Sequence, residues 1–383
     1  MSASPVPIRF IHTSDWQLGM TRAFLQSEAA PRFAQARIDA IVAIGKLAKA
    51  QQAKFVVVAG DVFESNQLSR QTLMRTLDAL EQVSVPVFLL PGNHDPLDAA
   101  SIYATPEFEA AGEHIFVIRD AQPFFVPGLP GVEVVGAPWP NKRPNSDLCA
   151  DLAAALTPAK GIVRVAVAHG QVDSLSPDTS RPDIISLRDA EAAIVDDRIA
   201  YLALGDRHSV TRVGSTGRIW YSGAPVATAF DEVDPNQVLL VELTDAGDCR
   251  VEPHSVGEWV FIAKQWMLNN SDDLERFAQW LRGLPDKERT VVKVGFEGSI
   301  NLALASRLDA LIEAHAELFA SLRWRERTSD LAILPDAFDQ DSVDLAGYAK
   351  LAWNDLLVDA NSGDAVALAA LQLCYRLSRQ AQD

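Results

Sequence analysis

Five short apolar runs in the first 240 residues each stop abruptly at a cluster of polar residues able to bind a ligand. The runs are Ile8–His12, Phe55–Ala59, Val85–Leu90, Ile162–Ala168 and Ile199–Leu204. They are nearly continuous and rich in Val, Ile and Leu, as expected of strands buried on both faces. Helical patterns lie between and after them. In Phe33–Ala50 the residues Ile38, Ile41, Val42, Gly45 and Ala48 recur at helical spacing, and Arg70–Gln82 follows Ser69, a good N-cap. Strands alternating with helices imply an α/β layered domain. Gly128–Pro138 and Arg218–Ser222 read as further strands outside the alternation, which suggests a second sheet.

The polar clusters are Thr13-Ser14-Asp15-Trp16-Gln17, Gly60-Asp61-Val62-Phe63-Glu64, Gly92-Asn93-His94-Asp95, His169-Gly170 and Gly205-Asp206-Arg207-His208. In sheets covered by helices, strand C-terminal ends converge on a crevice where ligands bind. Each cluster alone reads as turn chemistry. Jointly they would gather Asp, Asn and His side chains at one place, and four of the seven histidines (His12, His94, His169, His208) fall near these ends.

The segment from His12 to Gly19 resembles the opening motif of calcineurin-like metallophosphoesterases, in particular the SbcD-type DNA exonuclease subunits. Gly60-Asp61, Gly92-Asn93-His94-Asp95, His169 and Gly205-x-x-His208 are similar to that superfamily's later motifs, in the same order. Tyr221-Ser222-Gly223-Ala224-Pro225 resembles the strand and turn that follow. The resemblance implies a four-layer α/β/β/α sandwich, a small C-terminal α/β cap and a helical tail. It also implies two divalent metal ions: Asp61 bridging, Asp15, Gln17 and His208 completing one site, and Asn93, His169 and Asp206 the other. A hydroxide would attack phosphorus. His94 would protonate the leaving oxygen or stabilise the transition state, with Asp95 orienting it.

Two positions depart from the family pattern, which has histidine where this chain has Gln17 and Asp206. Both exchange nitrogen for oxygen, which favours harder ions such as Mn²⁺ or Mg²⁺ over Zn²⁺. Manganese is the expected ion, with magnesium or iron as alternatives. The same changes also fit a site with weakened or lost activity, kept as a scaffold.

The substrate implied by the resemblance is DNA, and the implied partners are an SbcC-like coiled-coil ATPase and a second copy of the chain. The formal charge of −17 over 383 residues pulls the other way, because phosphate contacts from Lys and Arg supply most non-specific nucleic-acid affinity. A nucleic-acid role therefore needs a local basic patch, bound metals or a partner, and a non-DNA phosphoester remains the rival substrate. Arg323, Arg325 and Arg327 alternate as one face of a strand would. Trp16 reads equally as a base-stacking or a packing residue.

Composition shifts near Ser255–Glu258. The expected division is a phosphoesterase domain over 1–256, an α/β cap over 257–340 and a helical tail over 341–383. In the cap, Asp272–Arg282 and Ala303–Leu322 read as helices around a Thr290–Phe296 strand, and Leu334-Pro335-Asp336 breaks the pattern. Asp341–Asp359 and Asp364–Arg379 read as the tail helices. Val366, Leu368, Leu371, Leu373, Tyr375 and Leu377 surround much of the last one, so it wants burial against its own domain or a partner. The isolated Cys149, Cys249 and Cys374 read as buried thiols. No secretory signal or membrane-crossing run is seen, and a cytoplasmic setting is expected. His114, His254 and His315 carry no assigned chemistry.

Overall fold

A computed structural model describes residues 7–25, 28–158, 161–244, 248–325, 329–334, 343 and 345–380. Their contacts divide the chain into two compact units, Met1–Ala23 with Ala30–Val260, and Phe24–Ala29 with Phe261–Asp383.

The strands of the first unit are β1 (Ile8–Thr13), β2 (Val56–Val58), β3 (Val87–Leu89), β4 (Ile115–Val117), β5 (Phe124–Phe125), β6 (Val132–Gly136), β7 (Val163–His169), β8 (Tyr201–Gly205), β9 (Thr211–Val213), β10 (Ile219–Tyr221), β11 (Gln237–Leu243) and β12 (Cys249–Ser255). Its helices are α1 (Ala29–Ala50), α2 (Arg70–Glu81), α3 (Pro106–Glu109), α4 (Leu148–Ala155) and α5 (Leu187–Val195). One sheet has the order β12-β11-β1-β2-β3-β4 and the other β5-β6-β7-β8-β10-β9. Within the first, β1, β2 and β3 are parallel; within the second, β6, β7 and β8 are. The five expected strands are β1, β2, β3, β7 and β8, so their C-terminal ends leave each sheet on one edge.

Alternation of side chains sorts the core into three layers. Ile11, Val56, Val58, Val87 and Leu89 pack beneath Ile41, Ile44, Leu73, Leu77 and Leu80 of α1 and α2. Phe10, Phe55, Val57 and Phe88 point the other way, onto Val134, Val165, Val167, Tyr201 and Ala203 of the second sheet. Ala166, Ala168, Leu202 and Leu204 meet Leu152, Ala190 and Ile194 of α4 and α5. The result is the α/β/β/α sandwich. Phe10 stacks on Phe55 at 4.8 Å and meets Tyr201 edge-on at 5.5 Å, so aromatic contacts cross between the sheets. Ser69 caps α2 as expected, accepting from Thr72 N.

The second unit contains β13 (Val260–Met267), α6 (Ser271–Gly283), β14 (Thr290–Asn301), α7 (Leu302–Ala316), β15 (Ser321–Trp324), β16 (Asp330–Leu334), α8 (Gly347–Asn361) and α9 (Ala365–Gln380). Strand β14 is the hub, pairing with β13, β15 and β16. The helix expected to reach Leu322 ends at Ala316, and Ser321–Trp324 instead pairs parallel with β14. A buried strand and a buried helix end look alike in periodicity, and the sheet claims this segment. Of the three alternating arginines, Arg323 lies exposed on β15 and Arg325 just beyond it; Arg327 lies outside the described residues, as do Pro335, Asp336 and Asp341. Trp353, Leu357 and Leu371 are buried between α8 and α9, while Tyr348, Leu351, Val358 and Val366 of the same hairpin remain exposed. Among the described residues no helix is long and apolar enough to cross a membrane.

Candidate metal centre

The chain beyond β1 stays paired with the chain beyond β2. Asp15 N donates to Gly60 O, Gln17 N to Asp61 O and Leu18 N to Val62 O, at 2.9–3.1 Å. Turning the side chains of these two segments toward one crevice requires left-handed backbone. Asp15 has φ 53°, Gln17 44°, Asp61 51° and, after β8, Asp206 has φ 99°. Such conformations cost on the order of 1–3 kcal/mol each in non-glycine residues and persist only where the surroundings enforce them. Close approach is enforced by two glycines. A Cβ on Gly92 would overlap the Asp61 carboxylate, and one on Gly205 would overlap the Ala59 carbonyl oxygen.

Asp15, Asp61 and His169, all buried, each offer an atom within 4.8 Å of the others. His169 Nδ1 lies 2.8 Å from Ala59 O, which can only accept, so this nitrogen carries a proton. Its Nε2 then faces three oxygens: Asn93 Oδ1 at 2.8 Å, Asp61 Oδ1 at 3.4 Å and Asp206 Oδ1 at 3.8 Å. On the other side, His208 Nε2 lies 3.4 Å from the Gln17 amide nitrogen and 3.8 Å from Asp15 Oδ1. The structure thus gathers all seven expected ligands, Asp15, Gln17, Asp61, Asn93, His169, Asp206 and His208, into one crevice. His94 stands at its mouth, Nε2 3.9 Å from Asp61 Oδ2.

The donor set fits a divalent cation. Gln17 Oε1 is buried without a hydrogen-bond partner, and the inward nitrogen of His169 points at acceptors only. A cation beside each would satisfy it. The electrostatics agree. Burial pushes the Asp15 carboxyl up, with the nearby imidazoles pulling against it. Burial also opposes ionisation of Asp61, but His169 and His94 outweigh it and hold this carboxyl low. Burial disfavours a charged His169, yet Asp61, Asp15 and Asp206 raise it well above the ordinary histidine value. His208 is raised likewise, against its burial, by Glu232, Asp15 and Asp206. The crevice attracts positive charge.

Asp95 does not orient His94. Its carboxylate accepts from Gly92 N at 2.7 Å, Phe63 N at 3.0 Å and the Tyr103 hydroxyl at 2.6 Å, which ties the Gly92–Asp95 turn to the chain after β2. Burial and the Asp61 charge push it up to about 6. The group holding His94 Nδ1 is the Glu64 backbone oxygen at 3.0 Å, with the Glu64 carboxylate at 3.8 Å. An acidic neighbour in sequence points away from its histidine here because three donors claim it. Trp16 is a packing residue, 2% exposed, its indole N–H donating to Thr13 Oγ1. His12 also lies outside the crevice, buried between the sheets against Tyr201 and Leu204.

Further residues support the ligands, and most of those outside the strand-end clusters have no sequence signal. Ser14 donates to Asp15 Oδ2 at 2.6 Å and lies 2.8 Å from Ser222 Oγ. Trp139 donates to His169 O at 2.8 Å. His208 Nδ1 faces Thr228 Oγ1 at 2.7 Å and Glu232 Oε1 at 3.2 Å. Of these partners beyond the strand-end clusters, only Ser222 belongs to a recognisable motif, the Tyr221–Pro225 segment.

This sandwich, with its acidic and imidazole side chains at one edge of two sheets, is that of a metal-dependent phosphoesterase. The family model for calcineurin-like phosphoesterases matches residues 8–210, and the chain belongs to that family of hydrolases. Among curated relatives it is similar to the SbcD component of the SbcCD nuclease of Bacillus subtilis, 26% identical over 259 residues, covering 59% of this chain and 63% of that one. The SbcD component of the SbcCD nuclease of Escherichia coli K12 is 27% identical over 263 residues, with 59% and 62% covered. The chain thus spans less than two thirds of the length of these relatives. Among solved structures, a dimetal phosphatase from Danio rerio aligns with 13% identity and a TM-score of 0.44, covering 66% of this chain and 98% of that one.

Proposed function

We propose that the chain hydrolyses phosphodiester bonds of DNA, as the nuclease component of an SbcC/SbcD-like repair complex in the cytoplasm. The observation that carries the hydrolytic reading is the position of Asp61, within one ligand group with Asp15 and His169 and beside His94 at the mouth. Asp15, Gln17, Asp61 and His208 would hold one divalent ion, and Asp61, Asn93, His169 and Asp206 the other. Ions so held activate water and neutralise charge on phosphoryl oxygens. Manganese suits the oxygen-rich set best. His94, 37% exposed in its side chain and held through Nδ1 by Glu64 O, presents Nε2 to the crevice, and in its imidazolium form would give the proton on that atom to the departing oxygen.

DNA as substrate is supported by the two relatives named as nuclease components. Charge beside the crevice is mixed, cations and carboxylates sharing its recesses. Lys142 and Arg181 line a recess of about 120 Å³ together with Asn93 and Asp206. Arg207 lines another, of about 460 Å³, with Asp206 and His208. Arg181 is paired with Asp183, and Asp231 and Glu232 also line the second recess, so bound metal ions would have to offset the net charge of −17 at the site. The exposed apolar residues Tyr348, Leu351, Val358 and Val366 on α8 and α9 support docking of a coiled-coil ATPase there. A homodimer would bring two such crevices together.

The test is Mn²⁺-dependent cleavage of labelled duplex and single-stranded DNA beside bis-p-nitrophenyl phosphate, with His94→Ala as control. Cleavage of both substrates, abolished in His94→Ala, supports the nuclease reading. Cleavage of the simple diester alone rules out DNA as a substrate of the isolated chain. No cleavage with two ions bound would mean that Gln17 and Asp206 mark a site that has lost its chemistry.

A further inference from the structure

We infer that Glu232, acting through Thr228, is the positioning residue that sets the proton on His208 and so makes this imidazole a metal ligand. The inference rests on the two-metal reading above and adds a residue outside every motif on which that reading is built. Glu232 sits in the chain between β10 and β11, its side chain 4% exposed. A carboxylate so buried needs donors, and it has them. Oε1 accepts from Thr228 N and Ala229 N, both at 3.1 Å, and Oε2 accepts from Thr228 N at 3.0 Å. The Thr228 hydroxyl donates to Oε1 as well.

The proton on His208 follows by elimination. Thr228 has one hydroxyl proton, and Glu232 takes it. Both oxygens that face His208 Nδ1 are then acceptors, at 2.7 Å and 3.2 Å, so Nδ1 carries hydrogen. In the neutral ring the lone pair must then be on Nε2, the atom that points at Gln17 and Asp15. A carboxylate behind a ligating histidine fixes its tautomer and raises its basicity. Here that support is needed more than usual, because the neighbouring ligand is an amide. Arg22 NH2 donates to Thr228 O at 2.9 Å and anchors the same turn from the other side of its backbone. His169, by contrast, rests its Nδ1 on a neutral backbone carbonyl, Ala59 O. The two ion positions therefore differ: only the one at Gln17 and His208 is backed by a charged group.

Two substitutions separate this role from simple support of the turn. Glu232→Gln keeps an acceptor for the amide hydrogens and removes the charge; Glu232→Leu removes both. Nitrogen-15 chemical shifts of the His208 ring, read on metal-free full-length protein at a pH high enough for the ring to be neutral, report the tautomer. Mn²⁺ titration calorimetry reports affinity and stoichiometry. The expected result is an Nδ1–H ring in the wild type and a mixed tautomer in Glu232→Leu. One of the two ions should bind about 10–100-fold more weakly in Glu232→Leu, with Glu232→Gln in between. The inference is overturned if Glu232→Gln binds both ions as the wild type does, or if the wild-type ring carries its neutral proton on Nε2. A wild type that binds fewer than two ions would sink the two-metal reading instead, and the ring shifts would still decide the role of Glu232.

Discussion

His12 and His169 are both fully buried on central strands of the same sandwich, yet their environments drive them in opposite directions. His12 sits in the space between the sheets. Its Nε2 donates to Leu204 O at 3.1 Å and its Nδ1 meets the Tyr201 hydroxyl at 3.0 Å. Both nitrogens are satisfied in the neutral ring, no carboxylate is bonded to it, and burial pulls its pKa down to about 3. His169, at the end of β7, faces Asp61, Asn93 and Asp206, and it is raised. The same contrast separates the regions around them. The layer of Phe10, Phe55, Phe88 and Tyr201 is apolar and close-packed. A few residues further along, the chain holds left-handed Asp15, Gln17 and Asp61 and an unpartnered amide oxygen. The packed half over-determines the backbone, and that allows the crevice half to keep charge and strain it could not hold alone.

The contrast can be broken most forcefully at Asp61. Asp61→Asn should lower Mn²⁺-dependent hydrolysis of bis-p-nitrophenyl phosphate by at least about 10³-fold, since metal stabilisation supplies several kcal/mol of the barrier reduction. The melting temperature of the metal-free protein should fall only modestly, by the loss of the charge that His169 and His94 hold in place. A marked loss of stability would mean that the crevice contributes to folding as the core does.

Phe88→Ala should do the reverse. Opening the inter-sheet layer costs about 3–5 kcal/mol, read as a lower urea midpoint, while kcat per folded molecule stays near the wild-type value. A large fall in kcat would show that the layers are not separable.

The His12 contribution is smaller and depends on pH. Its folded-state pKa is depressed relative to the unfolded value of about 6.5, so folding requires the neutral ring. The stability it permits is fully present above about pH 6.5 and is lost as pH falls toward about 3, amounting to a few kcal/mol. In urea titrations, His12→Gln should have a flatter stability profile over that interval than the wild type. Parallel profiles would show that His12 is not kept neutral.

The smallest effect is expected at the amide. Gln17→His should tighten binding of one ion by about tenfold and shift preference toward Zn²⁺, an imidazole being the softer, stronger donor. Calorimetry with Mn²⁺ and Zn²⁺ measures both. Unchanged affinities would place Gln17 outside the coordination sphere.

Local sequence determined a good deal of this protein. Buried strands and amphipathic helices have distinct periods, so β1, β2, β3, β7, β8, α1 and α2 were legible within a few residues. Clusters of Asp, Asn, His and Gly at strand ends located the crevice for the same reason: parallel strands under covering helices deliver their C-terminal ends to one edge. What tertiary structure decided was partnership. Asp95 stands next to His94 in sequence but is held by Phe63, Gly92 and Tyr103. Glu232 reaches His208 across 24 residues. Ser321–Trp324 became a strand because β14 offered it an edge. A hydrogen bond depends on where two groups meet in space, and no periodicity along one segment encodes which distant donor arrives first.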